Sequence, residues 1–148
     1  MGMRETEGSL RAYLLLAGVI GVVHSLADLS TARVLTDYGI PAGSVAVLVA
    51  LLVASVAVAV GYVVAGIRLK AVLPLGALWV QRVLLAGFIL SLVQGVFVAT
   101  VVAYEAPIGA VIGALVAMAV TSYLLVNVRR LVAAARERAG APVAVANR

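Results

Sequence analysis

Four stretches of this chain run for about 20 residues or more with few charges, at roughly 10–29, 42–67, 83–103 and 108–128. A bilayer core about 30 Å thick needs about 20 apolar residues to cross it as a helix. Inside lipid every backbone polar group must be satisfied within the protein, which long helices do. Barrel strands alternate in polarity over about 10 residues, and these runs are continuous. The sequence therefore predicts an all-α polytopic membrane protein, with four transmembrane helices in an up-down bundle. Composition agrees: hydrophobic residues are 65% of 148 and charged residues 11%, with a mean hydropathy of +1.21. A soluble domain carries about 45–50% apolar and about 25% charged residues. Too little polar surface is present to clothe a soluble enzyme. The absence of cysteine excludes disulfides, thiolate metal sites and thiol nucleophiles.

The punctuation between the runs fits this division. Tyr38-Gly39-Ile40-Pro41-Ala42-Gly43 is a turn leading into a helix, with Pro41 near the first helical position. Tyr104-Glu105-Ala106-Pro107 is a short connection that predicts a tight hairpin of the third and fourth helices. The transmembrane domain is expected over 1–139, with 140–148 a flexible tail after Gly140-Ala141-Pro142. The third span has two solutions. The apolar stretch from Val72 to Ala103 is too long for one upright helix, and Arg82 interrupts it. A span beginning at Val83 leaves Arg82 at the headgroups, with 70–81 in the interface or as a helical extension. A long tilted helix would instead carry Arg82 inside, at a cost of at least ~2.5–3.5 kcal/mol near the bilayer centre. Residues 10–27 also resemble a signal peptide, with Ser25 and Ala27 as small cleavage-site residues, but are expected to remain as a span.

Ten of the eleven Lys and Arg residues fall on one side of this arrangement; Arg33 alone lies on the other, with Asp28, Asp37 and Glu105. Such a bias sets topology, so both termini are expected in the cytoplasm and the protein in the cell's inner membrane. Tyr13, Tyr62, Trp79 and Tyr123 would lie near the inner interface, and Tyr38 and Tyr104 near the outer one. The pI of about 10.2 then reflects contact with anionic lipid headgroups, through Arg82, Arg129, Arg130, Arg136 and Arg138, and not nucleic acid.

Lipid gives helices no hydrophobic drive to associate, so small residues must let them approach closely. Each span has such residues at a spacing of four, which keeps them on one face. They are Ala17, Gly21 and Ser25; Ala57, Gly61 and Ala65; Gly87, Ser91, Gly95 and Ala99; Gly109, Gly113 and Ala117. The third ridge is the longest, so the third helix is expected at the bundle centre. These faces can pack within the chain, against other membrane chains or against a second copy.

Polar residues at membrane depth are the candidates for function. His24 and Asp28 share a face four residues apart on the first helix, and Arg33 and Tyr38 follow closely. An imidazole beside a carboxylate can relay protons or meet a ligand; it can equally hold the helix end to the first loop. Gln94, with Ser91 beside it, is the deepest strong hydrogen-bonding group, and would bond across helices or touch a ligand in the bundle. Ser55, Thr100, Thr121 and Ser122 can bond to their own helix. No catalytic constellation is present, and no metal site or cofactor is expected.

The stretch 14–72 resembles the DoxX-like four-helix membrane proteins. The matching features are an apolar first helix running into His24-Ser25-Leu26, and Leu35-Thr36-Asp37-Tyr38-Gly39-Ile40-Pro41-Ala42, which is similar to the family's Leu-Gly-Leu-Pro turn. A Gly/Ala-rich second helix then closes in Arg68-Leu69-Lys70. The resemblance implies a four-helix membrane fold and an accessory role in membrane redox chemistry, with a quinone near His24, Asp28 and Tyr38. An acidic residue expected in that family's second helix has no counterpart in 45–64. Three functions are thus open: a non-catalytic subunit or scaffold that packs against partner helices, a redox accessory of this kind, and a small proton-coupled transporter. No acidic residue at mid-depth supports the third.

Overall fold

The computed structural model describes residues 3–32, 34–102 and 107–140. They form α1 (Met3–Ala32), a 3-10 turn (Leu35–Tyr38), α2 (Ala42–Val72), α3 (Leu78–Phe97) continued by a π-helical turn (Val98–Val102), and α4 (Pro107–Gly140). Each helix contains a segment long and apolar enough to cross a membrane: Glu7–Ala32, Ala42–Val72, Leu78–Val101 and Val111–Glu137. The protein is an all-helical, multi-pass membrane protein. Most side chains in these segments face outward, including Ile20, Val53, Ile89 and Leu115. That is the surface lipid requires and water would not tolerate.

α1, α2 and α4 outrun their expected apolar spans, because the added turns at the ends carry charges that helices accept once outside hydrocarbon; α3 starts five residues earlier than expected and ends at Phe97. The third span is the clearest difference. Of the expected alternatives, one long helix does not form, and a helical extension forms in part: 70–72 prolong α2 and 78–81 open α3. α2 continues to Val72, the chain turns over 73–77, and α3 begins at Leu78. The turn is built on Gly76 at φ +87° and Ala77 at φ +47°, and the Gln81 side-chain amide donates to the Gly76 carbonyl at 3.1 Å. Arg82 lies one turn inside α3 and is exposed. At the other end Pro41 is the residue before α2, and Gly39 at φ +81° closes the 3-10 turn by donating to Leu35 and Thr36 carbonyls. Gly140 is the last residue of α4; the tail expected over 141–148 lies outside the described residues, as do Arg33, Tyr104 and Glu105.

The helices pack in chain order. α1 against α2 is the most extensive pair, followed by α3 with α4 and α2 with α3, while α1 and α4 touch little. α3 therefore lies between α2 and α4 and is not at the centre. One core cluster joins all four helices at the end where α2 turns into α3: Leu10 and Leu14, Leu69 and Leu73, Val80 and Leu84, Leu124 and Val128. α1 begins and α4 ends at that same end. A smaller cluster of Ala32, Leu48 and Leu52, with Phe97 and Val98 against it, lies at the opposite end and among the described residues does not include α4.

Glycines set the closest approaches. A Cβ on Gly18 would stand 2.8 Å from the Ala59 carbonyl oxygen, so α1 and α2 meet backbone to backbone there. Gly87 leaves the space occupied by the Tyr62 hydroxyl, and Gly95 leaves the space for Ala114 of α4. Tyr62 was expected at the interface but is buried in the bundle, where its hydroxyl bonds to Thr121. Thr121 donates its own proton to the Ala117 carbonyl at 2.7 Å. The Tyr62–Thr121 bond joins α2 to α4 across α3.

Candidate functional site

α1 and α4 meet through Tyr13 and Tyr123, whose rings are 6.2 Å apart and edge to face. Beyond that contact, away from the main core, a cleft of about 960 Å³ opens between them, with α2 and α3 as its floor. Leu16 and Ile20 on one wall and Val116 and Val120 on the other are exposed, so the cleft faces the surrounding hydrocarbon. A second cavity of about 260 Å³ continues it toward the end of α1, sharing His24, Ser91, Gln94, Gly113 and Ala117. From Tyr13 to Asp28 the groove follows α1 for roughly 22 Å at 1.5 Å per residue.

The small-residue face of α4 explains why the seam is unfilled. Among the described residues, no atom of another element stands within 4 Å of a Cβ built on Gly109 or Gly113. The ridge expected to pack against a helix lines the cavities instead. Gly21, by contrast, faces Ala59 at 3.0 Å and Gly61 faces Val83 at 2.8 Å, while Gly87 and Gly95 hold α3 to α2 and α4.

The polar groups in the cleft come from three helices. Ser55 on α2 lies 2.9 Å from both the Leu51 carbonyl and Gln94 Oε1 on α3. A serine has one proton, so it cannot donate fully to both. With the Gln94 amide turned over, Nε2 donates to Ser55 and Oε1 faces the cavity; amide orientation follows the network in this way. Gln94 lies seven residues before Val101, the end of its apolar segment, so it is about 10 Å along the helix from that end. Ser91 lines both cavities, and its hydroxyl has no hydrogen-bond partner among the described residues. Ser25 is only 6% exposed, lines the larger cavity and likewise has no partner there.

His24 and Asp28 stand at the mouth, with His24 Nε2 3.4 Å from Asp28 Oδ2 and side chains 77% and 42% exposed. Both line the smaller cavity. Tyr38 does not join them; it is 81% exposed on the 3-10 turn and lines neither cavity. No lysine or arginine side chain lines either cavity among the described residues. Arg82, Arg129, Arg130 and Arg136 are exposed at the core-cluster end of the bundle. Arg136 reaches the α2–α3 turn, where its guanidinium lies 3.0 Å from the position of a Gly76 Cβ. The Arg138 side chain lies outside the described residues. Among the described residues no group of three His, Cys, Asp or Glu side chains could hold a metal ion.

Ser25, Tyr62 and Thr121 were not legible as site residues. Ser25 reads as one more small residue in a ridge, and Thr121 as a hydroxyl satisfied by its own helix. Hairpin arithmetic finds part of the network: Ser55 and Gln94 lie 20 and 19 residues from Leu75 in the turn, hence at one depth. Comparison of the chain with known protein families, with curated proteins and with solved structures finds no match.

Proposed function

We propose that this protein is a non-catalytic membrane subunit that holds a bilayer-dissolved molecule in the cleft between α1 and α4. The observation that carries this reading is the cleft itself, about 960 Å³ and lined by all four helices. Ligand cavities are typically about 300–1,000 Å³, mostly apolar, with a few convergent polar groups. We assign the chain to the cell's inner membrane with both termini cytoplasmic, on the strength of the Lys and Arg bias. The exposed arginines at that end would then meet anionic headgroups.

The test is native mass spectrometry of the protein extracted in native-membrane discs. A discrete adduct of a few hundred daltons on the chain supports the reading. A bare chain, or the bulk phospholipid mixture alone, contradicts it.

Two other readings each have an observation in their favour. Packing against a partner helix, from another chain or a second copy, is favoured by the uncovered Gly109 and Gly113. Stable co-purification of one membrane chain in mild detergent would support it. A redox accessory role, implied by the DoxX-like resemblance, is favoured by the His24–Asp28 pair at the mouth. Loss of a quinone-dependent activity in His24→Ala would support that.

A further inference from the structure

We infer that the cleft selects an uncharged, hydroxyl-bearing lipid with a single long chain, its head at Ser25, Ser91 and Gln94 and its tail running toward Tyr13 and Tyr123. The inference rests on the cleft being a ligand site and adds the chemistry of the occupant. Three observations carry it. First, Ser25 is more than nine-tenths buried and has no hydrogen-bond partner among the described residues. Its Oγ is not sealed inside the protein but opens on the cleft, and in hydrocarbon a hydroxyl without a partner gains from a polar atom brought to it. Second, Ser91 and the outward atom of Gln94 converge on the same part of the cleft from α3, with no partner of their own there. With Gln94 Oε1 turned to the cavity, the set offers one acceptor and two hydroxyls that both give and take. A ligand hydroxyl complements such a set, because it too donates and accepts.

Third, no lysine or arginine lines either cavity among the described residues, while Asp28 stands at the mouth. A carboxylate or phosphate head would lose its hydration there and meet no lysine or arginine, with His24 the one basic side chain in the lining among the described residues, a penalty of several kcal/mol while His24 is neutral. Charged phospholipid is thereby disfavoured, although its tails are abundant. The length also fits. From Ser25 to Tyr13 is about 18 Å along α1, the span of a saturated chain of roughly 14 carbons. The head would sit about 10 Å below the end of the span, a depth a small uncharged head can reach and a phosphate cannot.

The experiment uses the full chain in detergent-free discs of a neutral lipid, with three probes: 1-hexadecanol, hexadecane and palmitate at pH 8. Binding is read by displacement of a fluorescent long-chain alcohol. The alcohol is expected to bind about tenfold more tightly than the alkane or the carboxylate, a ratio that two or three hydrogen bonds in lipid supply. Ser25→Ala combined with Gln94→Leu is expected to erase that tenfold preference and leave alkane affinity unchanged. Gly113→Leu, which adds bulk where the cleft has open space, is expected to lower the affinity of all three. Equal binding of alcohol and alkane overturns the head-group inference while leaving the cleft a ligand site. Tighter binding of palmitate overturns it in the same way. No binding of any probe overturns the inference and the ligand-site reading together.

Discussion

The two ends of the bundle solve the same problem differently. At the end where α2 turns into α3, side chains of all four helices close into one core, with Leu14 and Leu84 wholly inaccessible. At the other end, among the described residues, only α1, α2 and α3 share a cluster, and α4 shows its glycines to a cavity. Composition does not separate the ends, since both are made of Leu, Val, Ala and Gly. What differs is the use of the small residues. Gly87 is filled by a neighbour's side chain, and Gly113 is filled by nothing. In lipid, where helices gain no hydrophobic drive from meeting, such packing decides which seams close. The closed end packs all four helices, and the open end leaves the face of α4 at Gly109 and Gly113 on a cavity.

Substitutions can break this contrast. The largest effect is expected for Gly87→Val, whose added carbons would occupy the place of the Tyr62 hydroxyl and separate α2, α3 and α4. Overpacking of this kind costs about 2–3 kcal/mol. Unfolding in mixed micelles of increasing sodium dodecyl sulfate measures it. Tyr62→Phe keeps the ring and removes only the bond to Thr121. A loss of about 0.6–1 kcal/mol is expected in the same assay, in line with hydrogen bonds between membrane helices. Ala77→Gly acts the other way. It relieves a left-handed alanine at φ +47°, and a gain of about 0.5–1 kcal/mol is expected after the entropy of the added glycine is subtracted. The smallest effect belongs to Gly113→Ala at the open end, within about 0.5 kcal/mol, because its Cβ meets nothing. If Gly113→Ala were as damaging as Gly87→Val, the two ends would not differ as described.

Four helices and their order were legible because hydrocarbon imposes one length and one backbone solution on each apolar run. Their ends were less so. Residues 70–81 read as an interfacial piece or a helical extension because Pro74 and Gly76 interrupt the apolar pattern; the interruption is a five-residue turn, and helix flanks it on both sides. Which glycines pack was not legible either. With Gly18, Gly21 and Ala17 all on α1, small residues at spacings of three and four point to several faces, and the sequence does not choose between them. The partnership of His24 and Asp28 was readable from their spacing, since one helix sets it. The cleft was not, because it is defined by where α4 fails to meet α1, and a missing contact leaves no pattern in either helix.

The divergence of α1 from α4 is open to direct measurement, since the chain has no cysteine of its own. Paired spin labels at Ser9 and Asn127 lie one helical turn on the closed side of the Tyr13–Tyr123 contact. Labels at Ile20 and Val116 lie about two turns on the cleft side, on the same faces. In ligand-free discs, double electron–electron resonance should give a short, narrow distance for the first pair and a longer, broader one for the second. Two equally short and narrow distances would mean that α1 and α4 are in contact along their whole length and that no cleft exists.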